Sequence, residues 1–312
     1  MSPVVTVTLN PAIDQTLTVP GFAAGRVNRV AASRCDAGGK GVNVASVLAG
    51  LGVETIATGF LGADNAAFFA TFFERKGIAD RFVRIAGATR TGIKIVNDST
   101  RETTDVNFPG LTPMREDAAE LFARISALAA PDRWFVLSGS VPAGIEDGVY
   151  ARMIDAIHAR GGKVVLDTSG RPLATALASR PEVMKPNVDE LSELASQELA
   201  TPAAVRGAAA TLLAHGVELV VVSMGGEGAV FVNREQSLLA RPPKVAVRST
   251  VGAGDAMVAG LVSAMIQGLP LADVARTATA CGAYAVTRVG SGIDDLGEVR
   301  RLMGEVEIEG LT

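Results

Sequence analysis

The sequence predicts an α/β fold: a three-layer α/β/α sandwich with a mostly parallel central sheet and a small antiparallel β lid outside it. Three observations predict this. Short Val/Ile-rich runs alternate with Ala/Leu-rich runs of helical length, the pattern of parallel strands joined by crossover helices. The strand runs are apolar without alternation, as strands buried on both faces must be. Two segments, 12–35 and 90–108, break the alternation and carry extended runs with no helical period between them.

In chain order, Val4–Thr8 reads as the first buried strand. Thr16–Val19 and Val27–Cys35 are the extended pieces of the first irregular segment. Val42–Leu51 is helical, Thr55–Phe60 a strand and Ala66–Lys76 a helix. Thr91–Asn97 and Thr103–Phe108 flank the polar stretch 97–102 and read as a hairpin. Arg115–Leu128 (helix), Trp134–Leu137 (strand), Glu146–Arg160 (helix) and Lys163–Leu166 (strand) follow. Then come Val183–Lys185 (strand), Ala203–His215 (helix) and Leu219–Ser223 (strand). Val245–Arg248 reads as a strand that runs into Gly252-Ala253-Gly254, with a small-residue helix beginning near Asp255. The division this gives is a core of residues 1–11, 36–89 and 109–312, and a β-sheet lid of 12–35 and 90–108. The lid serves as a cover, a subunit contact or both; ordinary edge strands are the competing reading.

Of the 312 residues, 48% are hydrophobic and 20% charged, enough apolar material for a large core. A net charge of −4, from 29 basic and 33 acidic residues, leaves no electrostatic footprint for nucleic acid. The two cysteines, Cys35 and Cys281, have no metal or redox spacing and read as free thiols in a reducing compartment. Residues 1–8 read as a strand, not a signal peptide, and the near-apolar run Ala256–Ile266 is too short to span a bilayer. A cytoplasmic protein without membrane contact is the expectation. No Gly-x-Gly-x-x-Gly follows the first strand, which argues against a nicotinamide-dependent oxidoreductase.

Open α/β sheets bind ligands at the carboxyl ends of their strands, so the strand-to-loop junctions carry the candidates. At Gly252-Ala253-Gly254-Asp255, free N–H groups at a helix start make an anion site that glycines let a ligand approach. Asp255 there either caps the helix or serves as a general base for an incoming hydroxyl. Gly38-Gly39-Lys40-Gly41-Val42-Asn43 resembles a phosphate loop but fails the Walker A pattern, because Gly41 stands where Ser or Thr belongs. Lys40 and Asn43 could reach a polar ligand; a Gly-rich turn is the alternative. Asp14 follows an Asn-Pro turn after the first strand and is either solvated or a ligand for sugar hydroxyls. In Lys185-Pro186-Asn187-Val188-Asp189-Glu190, Asn187 and Glu190 form a capping box or face magnesium through water. The loop Ser223–Ala229, with Gly225 and Gly228, is a hairpin connection or a nucleotide contact. Ser138–Pro142 is a further polar strand end of the same ambiguity. Arg90, at the entry to the hairpin, either forks onto a phosphate or is solvated. His158 and His215 read as residues at helix C-termini, not catalysts.

The order of these motifs resembles the ribokinase-like (phosphofructokinase B) sugar kinases over essentially the whole chain. The resemblance rests on Gly252–Asp255, on the stretch 38–43 and on Thr8-Leu9-Asn10-Pro11-Ala12-Ile13-Asp14. It rests also on Gly59–Asn65, Gly77–Phe82, Thr89-Arg90-Thr91 and Thr104–Phe108. It implies transfer of the γ-phosphoryl of ATP to the 6-hydroxyl of fructose 1-phosphate. Tagatose 6-phosphate and fructose 6-phosphate kinases of the same family share these motifs. A sensor that keeps the fold without catalysis is the reading from another class, against which Asp255 and Glu190 stand. By the resemblance, Asp255 is the base and Gly252, Ala253 and Gly254 the anion hole. Asp14, Gly38, Gly39, Lys40 and Asn43 hold the sugar, and Arg90 its phosphate. Lys185, Asn187, Ser223, Gly225 and Gly228 hold the nucleotide, and Glu190 holds magnesium through water. It also implies a potassium ion near Ser249, Val251, Ala285 and Gly290 in some members, Arg26 or Arg29 as a lid base, and a homodimer through the lid.

Overall fold

The structure is a computed structural model and describes residues 2–97, 99–100 and 102–311. Asp98 and Arg101, in the connection of the expected hairpin, lie outside the described residues, as do Met1 and Thr312.

The chain runs β1 (Val4–Thr8), β2 (Ala12–Thr18), β3 (Ala32–Gly38), α1 (Lys40–Gly50), β4 (Thr55–Gly62), α2 (Ala66–Lys76), β5 (Ala79–Asp80) and β6 (Val83–Ile85). It continues with β7 (Thr91–Asn97), β8 (Glu102–Asn107), α3 (Arg115–Leu128), β9 (Trp134–Ser138), α4 (Val149–His158), β10 (Lys163–Asp167), α5 (Gly170–Ala176) and β11 (Val183–Met184). The rest is α6 (Val188–Ala195), α7 (Pro202–Leu213), β12 (Leu219–Ser223), β13 (Ala229–Asn233), β14 (Ser237–Arg241), α8 (Ala253–Ile266), α9 (Leu271–Val286), α10 (Leu296–Glu305) and β15 (Glu307–Gly310).

The large sheet has the order β15-β14-β13-β12-β11-β10-β9-β1-β4-β5, with β6 also on β4. From β12 to β5 the pairs are parallel; β13, β14 and β15 add antiparallel strands at one edge. Side-chain alternation sends the two faces of each strand into two cores. Val5, Val7, Phe135, Leu137, Val164 and Leu166 pack with α3, α4 and α7, while Val4, Val136 and Val165 pack with α1, α8, α9 and α10. A third cluster joins Phe69 and Phe73 of α2 to Ala37, Val42 and Leu61. A separate four-stranded sheet, β3-β2-β7-β8, is antiparallel at β2–β3 and β7–β8 and parallel at β2–β7. No helix among the described residues is long and apolar enough to cross a membrane.

Three expectations are corrected. Val245–Arg248 is not a strand: residues 242–250 are irregular, and Arg248 N and Ser249 N donate instead to Val286 O at 2.7 and 3.2 Å. Pro242-Pro243 removes two ladder donors just beyond β14, so the chain leaves the sheet there. The strand expected at Val27–Cys35 begins only at Ala32. Asn28 closes a loop upstream instead, donating to Ala23 O at 2.9 Å and accepting from Ala23 N at 3.1 Å. The helix expected over Glu146–Arg160 is trimmed to Val149–His158. His215 lies in the turn after α7, while His158 ends α4 and pairs with Glu182 at 3.2 Å.

Candidate active site

The carboxyl ends of the parallel strands open into a cleft of about 700 Å³. Its walls include Lys40, Asn43, Asp167, Lys185, Glu190, Gly252 and Asp255, drawn from α1, β10, the β11–α6 junction and α8.

Gly252 caps α8 with φ +81°, a left-handed conformation that side chains resist. Gly252 and Gly254 line the cleft, so the start of α8, whose first N–H groups have no partner inside the helix, borders it; Ala253 N donates back to Thr250 O at 3.4 Å. Asp255 is the third residue of that helix and only 7% exposed. Asn43 Nδ2 donates to its Oδ2 at 2.8 Å. Burial, reinforced by the charge of Asp167, pushes the Asp255 carboxyl up to about 6, against the pull of Asn43, Lys40 and Lys185.

Asn43 and Lys40 are delivered by α1, which starts hard against β1. Gly39 has φ +111°, and a Cβ there would stand 2.9 Å from Thr8 Cγ2 and 3.0 Å from Pro11 Cα. Lys40 Nζ lies 3.2 Å from Asp167 Oδ1, and Lys185 Nζ 3.3 Å from the same oxygen. Asp167 is 1% exposed and Lys185 4%. Burial works against the Asp167 anion, but Lys185 and Lys40 more than offset it and hold its pKa below the usual carboxylate range. Burial likewise disfavours the Lys40 ammonium, and Asp167, Glu190 and Asp255 together keep its pKa above the ordinary value. Asp167 Oδ2 is buried and accepts no hydrogen bond from the protein.

Asp167 closes β10 one residue past the strand end expected at Leu166, and so lies outside the residues the sequence predicts for the site. The usable signal was an acidic residue closing an apolar strand of an open α/β sheet. Asn187 and Glu190 do form a capping box: Asn187 Oδ1 accepts from Glu190 N, and Glu190 Oε2 from Asn187 N, each at 2.8 Å. Glu190 still faces the cleft, so capping and site lining coexist. Ser223 and Gly225 line the same cleft. Gly228 does not; a Cβ there would collide with Ala240 O, and its glycine serves the β12–β13 hairpin.

A neighbouring cavity of about 940 Å³ lies under the small sheet and shares Asn43, Val251 and Gly252 with the first. Asp14, on β2, enters it between two glycines: a Cβ on Gly38 would stand 2.5 Å from Asp14 Oδ2, and one on Gly92 3.0 Å from Oδ1. Lys94 on β7, not foreseen from sequence, sits 3.0 Å from Asp14 Oδ2. Arg90 is not on the wall of either cavity; Nη2 donates to Asn10 O at 3.4 Å, and its buried Nε has no partner. Arg26 and Arg29 are exposed on the β2–β3 connection. The segments carrying Ser249 and Ala285 meet through the Val286 carbonyl, and Arg34 Nη1 donates to Val289 O, beside Gly290, at 3.2 Å. Among the described residues no three acidic, His or Cys side chains converge as a metal cage.

This sandwich, with a buried carboxylate over a helix N-terminus, agrees with the family comparison. The chain belongs to the pfkB family of carbohydrate kinases, whose model matches residues 4–296. It is 50% identical over 288 residues to a 1-phosphofructokinase of Rhodobacter capsulatus, covering 92% of this chain and 91% of that one. It is 42% identical to a 1-phosphofructokinase of Vibrio cholerae, covering 99% and 97%. Among solved structures, phosphofructokinase-2 from Escherichia coli in complex with substrates and products superimposes with a TM-score of 0.92 at 28% identity, covering 97% and 99%.

Proposed function

We propose that this protein transfers the γ-phosphoryl group of ATP to the 6-hydroxyl of fructose 1-phosphate, giving ADP and fructose 1,6-bisphosphate. The observation that carries phosphoryl transfer is the Asp255 carboxylate, buried over the N-terminus of α8 in a cleft with two lysines. The choice of sugar is supported by curated relatives named 1-phosphofructokinase at 35–50% identity.

In this reading Asp255 accepts the proton of the attacking hydroxyl, and Asn43 holds the carboxylate in line. The N–H groups of Gly252, Ala253 and Gly254 stabilise charge on the phosphoryl group in flight. Asp167 keeps Lys40 and Lys185 turned into the cleft, where they neutralise the phosphates. Asp14 binds sugar hydroxyls, with Gly38 and Gly39 making room and Lys94 fixing its orientation. Arg90 swings from the Asn10 carbonyl to the sugar phosphate. Asn187, Ser223 and Gly225 border the nucleotide, and Gly228 shapes their loop.

The donor set fits a hydrated magnesium ion carried by the triphosphate: carboxylates of Asp167 and Glu190 border the cleft, and one Asp167 oxygen has no protein partner. The ion supplies charge neutralisation of the β- and γ-phosphates. For potassium, the candidates remain the carbonyls near Ser249, Val251, Ala285 and Gly290, and Arg34 places a fixed positive charge beside them. Turnover in potassium against tetramethylammonium salts decides between ion and guanidinium. The small sheet acts as a lid over the sugar and as the contact of a homodimer, a reading supported by exposed Val27 (84%) on its β2–β3 connection and Phe108 (49%) just past β8.

The test is ADP release with Mg-ATP and fructose 1-phosphate, fructose 6-phosphate or tagatose 6-phosphate in separate assays. The expected result is a kcat/KM highest for fructose 1-phosphate. Preference for a 6-phosphate reassigns the sugar, and no turnover with any of them overturns the kinase reading.

A further inference from the structure

A third cleft, of about 480 Å³, lies between the C-terminal end of α2, β3 and the loop joining α9 to α10. The phosphoryl transfer proposed above assigns no role to Arg75, Lys76, Arg288 or Asp294 of this cleft. Its charged walls are Arg34, Arg75, Lys76 and Arg288 against Asp36 and Asp294. Both carboxylates are already engaged. Arg34 grips Asp36 Oδ1 through Nε and Nη2 at 2.9 and 2.7 Å. Asp294 pairs with Arg288 and, at 3.6 Å, with Lys76. Arg75 has no acidic partner among the described residues; its guanidinium lies 6.0 Å over the Phe72 ring. Four cations facing two anions leave two positive charges in a concave, polar space.

The loop is built to keep the cations there. Gly290 and Gly292 have φ of +95° and +128°. A Cβ on Gly292 would stand 2.9 Å from Lys76 Nζ, and one on Gly290 would overlap the Arg34 guanidinium. Absence of those side chains lets both basic heads lie on the loop backbone.

We propose that this cleft is a second anion site, which binds the dianionic phosphate of a small phosphomonoester. Arg75 and the open side of Lys76 meet a dianion with matching charge, and the fork of Arg75 suits two phosphate oxygens. Bound there, the ligand braces β3 against the α9–α10 loop. That brace touches the substrate cavity, because Arg34, Asp36, Gly290 and Ser291 line both spaces. Asp36 faces Asp14 in the β2–β3 ladder, and Ser46 Oγ on α1 donates to Ser291 O at 3.2 Å.

The experiment is calorimetric titration of the full chain with inorganic phosphate, comparing wild type with Arg75→Ser/Lys76→Ser and with Arg75→Glu alone. Phosphate binding in the substrate cleft is common to all three. The expected result is one further binding event in wild type, weakened at least about tenfold in both variants, the scale of one lost charged hydrogen bond. Unchanged melting curves and turnover without phosphate show that the variants are folded. Identical isotherms for wild type and both variants overturn the proposal.

Discussion

At the scale of single residues, burial decides the chemistry. Asp255 is an acid whose pKa is pushed from 3.8 to about 6, so it is ionised and yet still basic near neutrality. The acidic limb of kcat/KM should therefore fall near pH 6, with activity lost as pH drops through it, as a pH–rate profile reads directly. Asn43→Leu removes the hydrogen bond that favours the anion, and should move that limb to higher pH while lowering kcat. Asp255→Asn should cut kcat by about 10²–10⁴-fold, the usual scale for a general base, with substrate binding kept. Near wild-type turnover in that variant would remove Asp255 as the base. The same shift has a stability sign. The native state holds the Asp255 proton up to about pH 6 and the unfolded chain releases it near 3.8, so stability is lost as pH rises across that window. Above it, Asp255→Asn should melt higher than wild type, and the gain should vanish at pH 3.5.

At the scale of elements, glycines set how closely strands and helices approach. Gly39 and Gly41 let α1 begin on top of β1, which brings Lys40 and Asn43 to Asp167 and Asp255. Gly39→Ala forces a Cβ into Thr8 and Pro11 at a left-handed φ, so it should both destabilise the protein and depress kcat. Gly38→Ala is gentler on the backbone but displaces the Asp14 carboxylate, and should appear mainly as a raised KM for the sugar phosphate. An unchanged KM in Gly38→Ala would take Asp14 out of the sugar site. Helix starts were legible because they carry chemical signatures: Asn187 with Glu190, and Gly252 before Asp255. The strand expected at Val245–Arg248 failed for a reason local sequence does not display. Its residues have β-branched composition, but Pro242 and Pro243 carry the chain off β14, and Arg248 and Ser249 donate to the Val286 carbonyl at the end of α9 instead of to a strand.

At the scale of the whole molecule, β8 closes one side of the small sheet: it is exposed along its length, and beyond its pairing with β7 its outer edge has no strand neighbour among the described residues. An open edge beside exposed Val106 and Phe108 favours association through the sheet. Sedimentation should show a dimer, and Val106→Asp/Phe108→Ser should shift it towards monomer and lower turnover. A monomer in the wild type would remove the sheet as a subunit contact. By itself, the sequence determined the alternation of strands and helices, the two irregular segments and the glycine-marked helix starts. Those properties are set by residues within a few positions of one another, through backbone freedom and hydrophobic period. Only the tertiary structure decided that Asp167 joins Lys40 to Lys185, that Lys94 meets Asp14, and that Arg34 and Arg75 share a cleft with a loop more than 200 positions away. Such pairings depend on strand order in the sheet and on which face each side chain takes, and no local pattern encodes either.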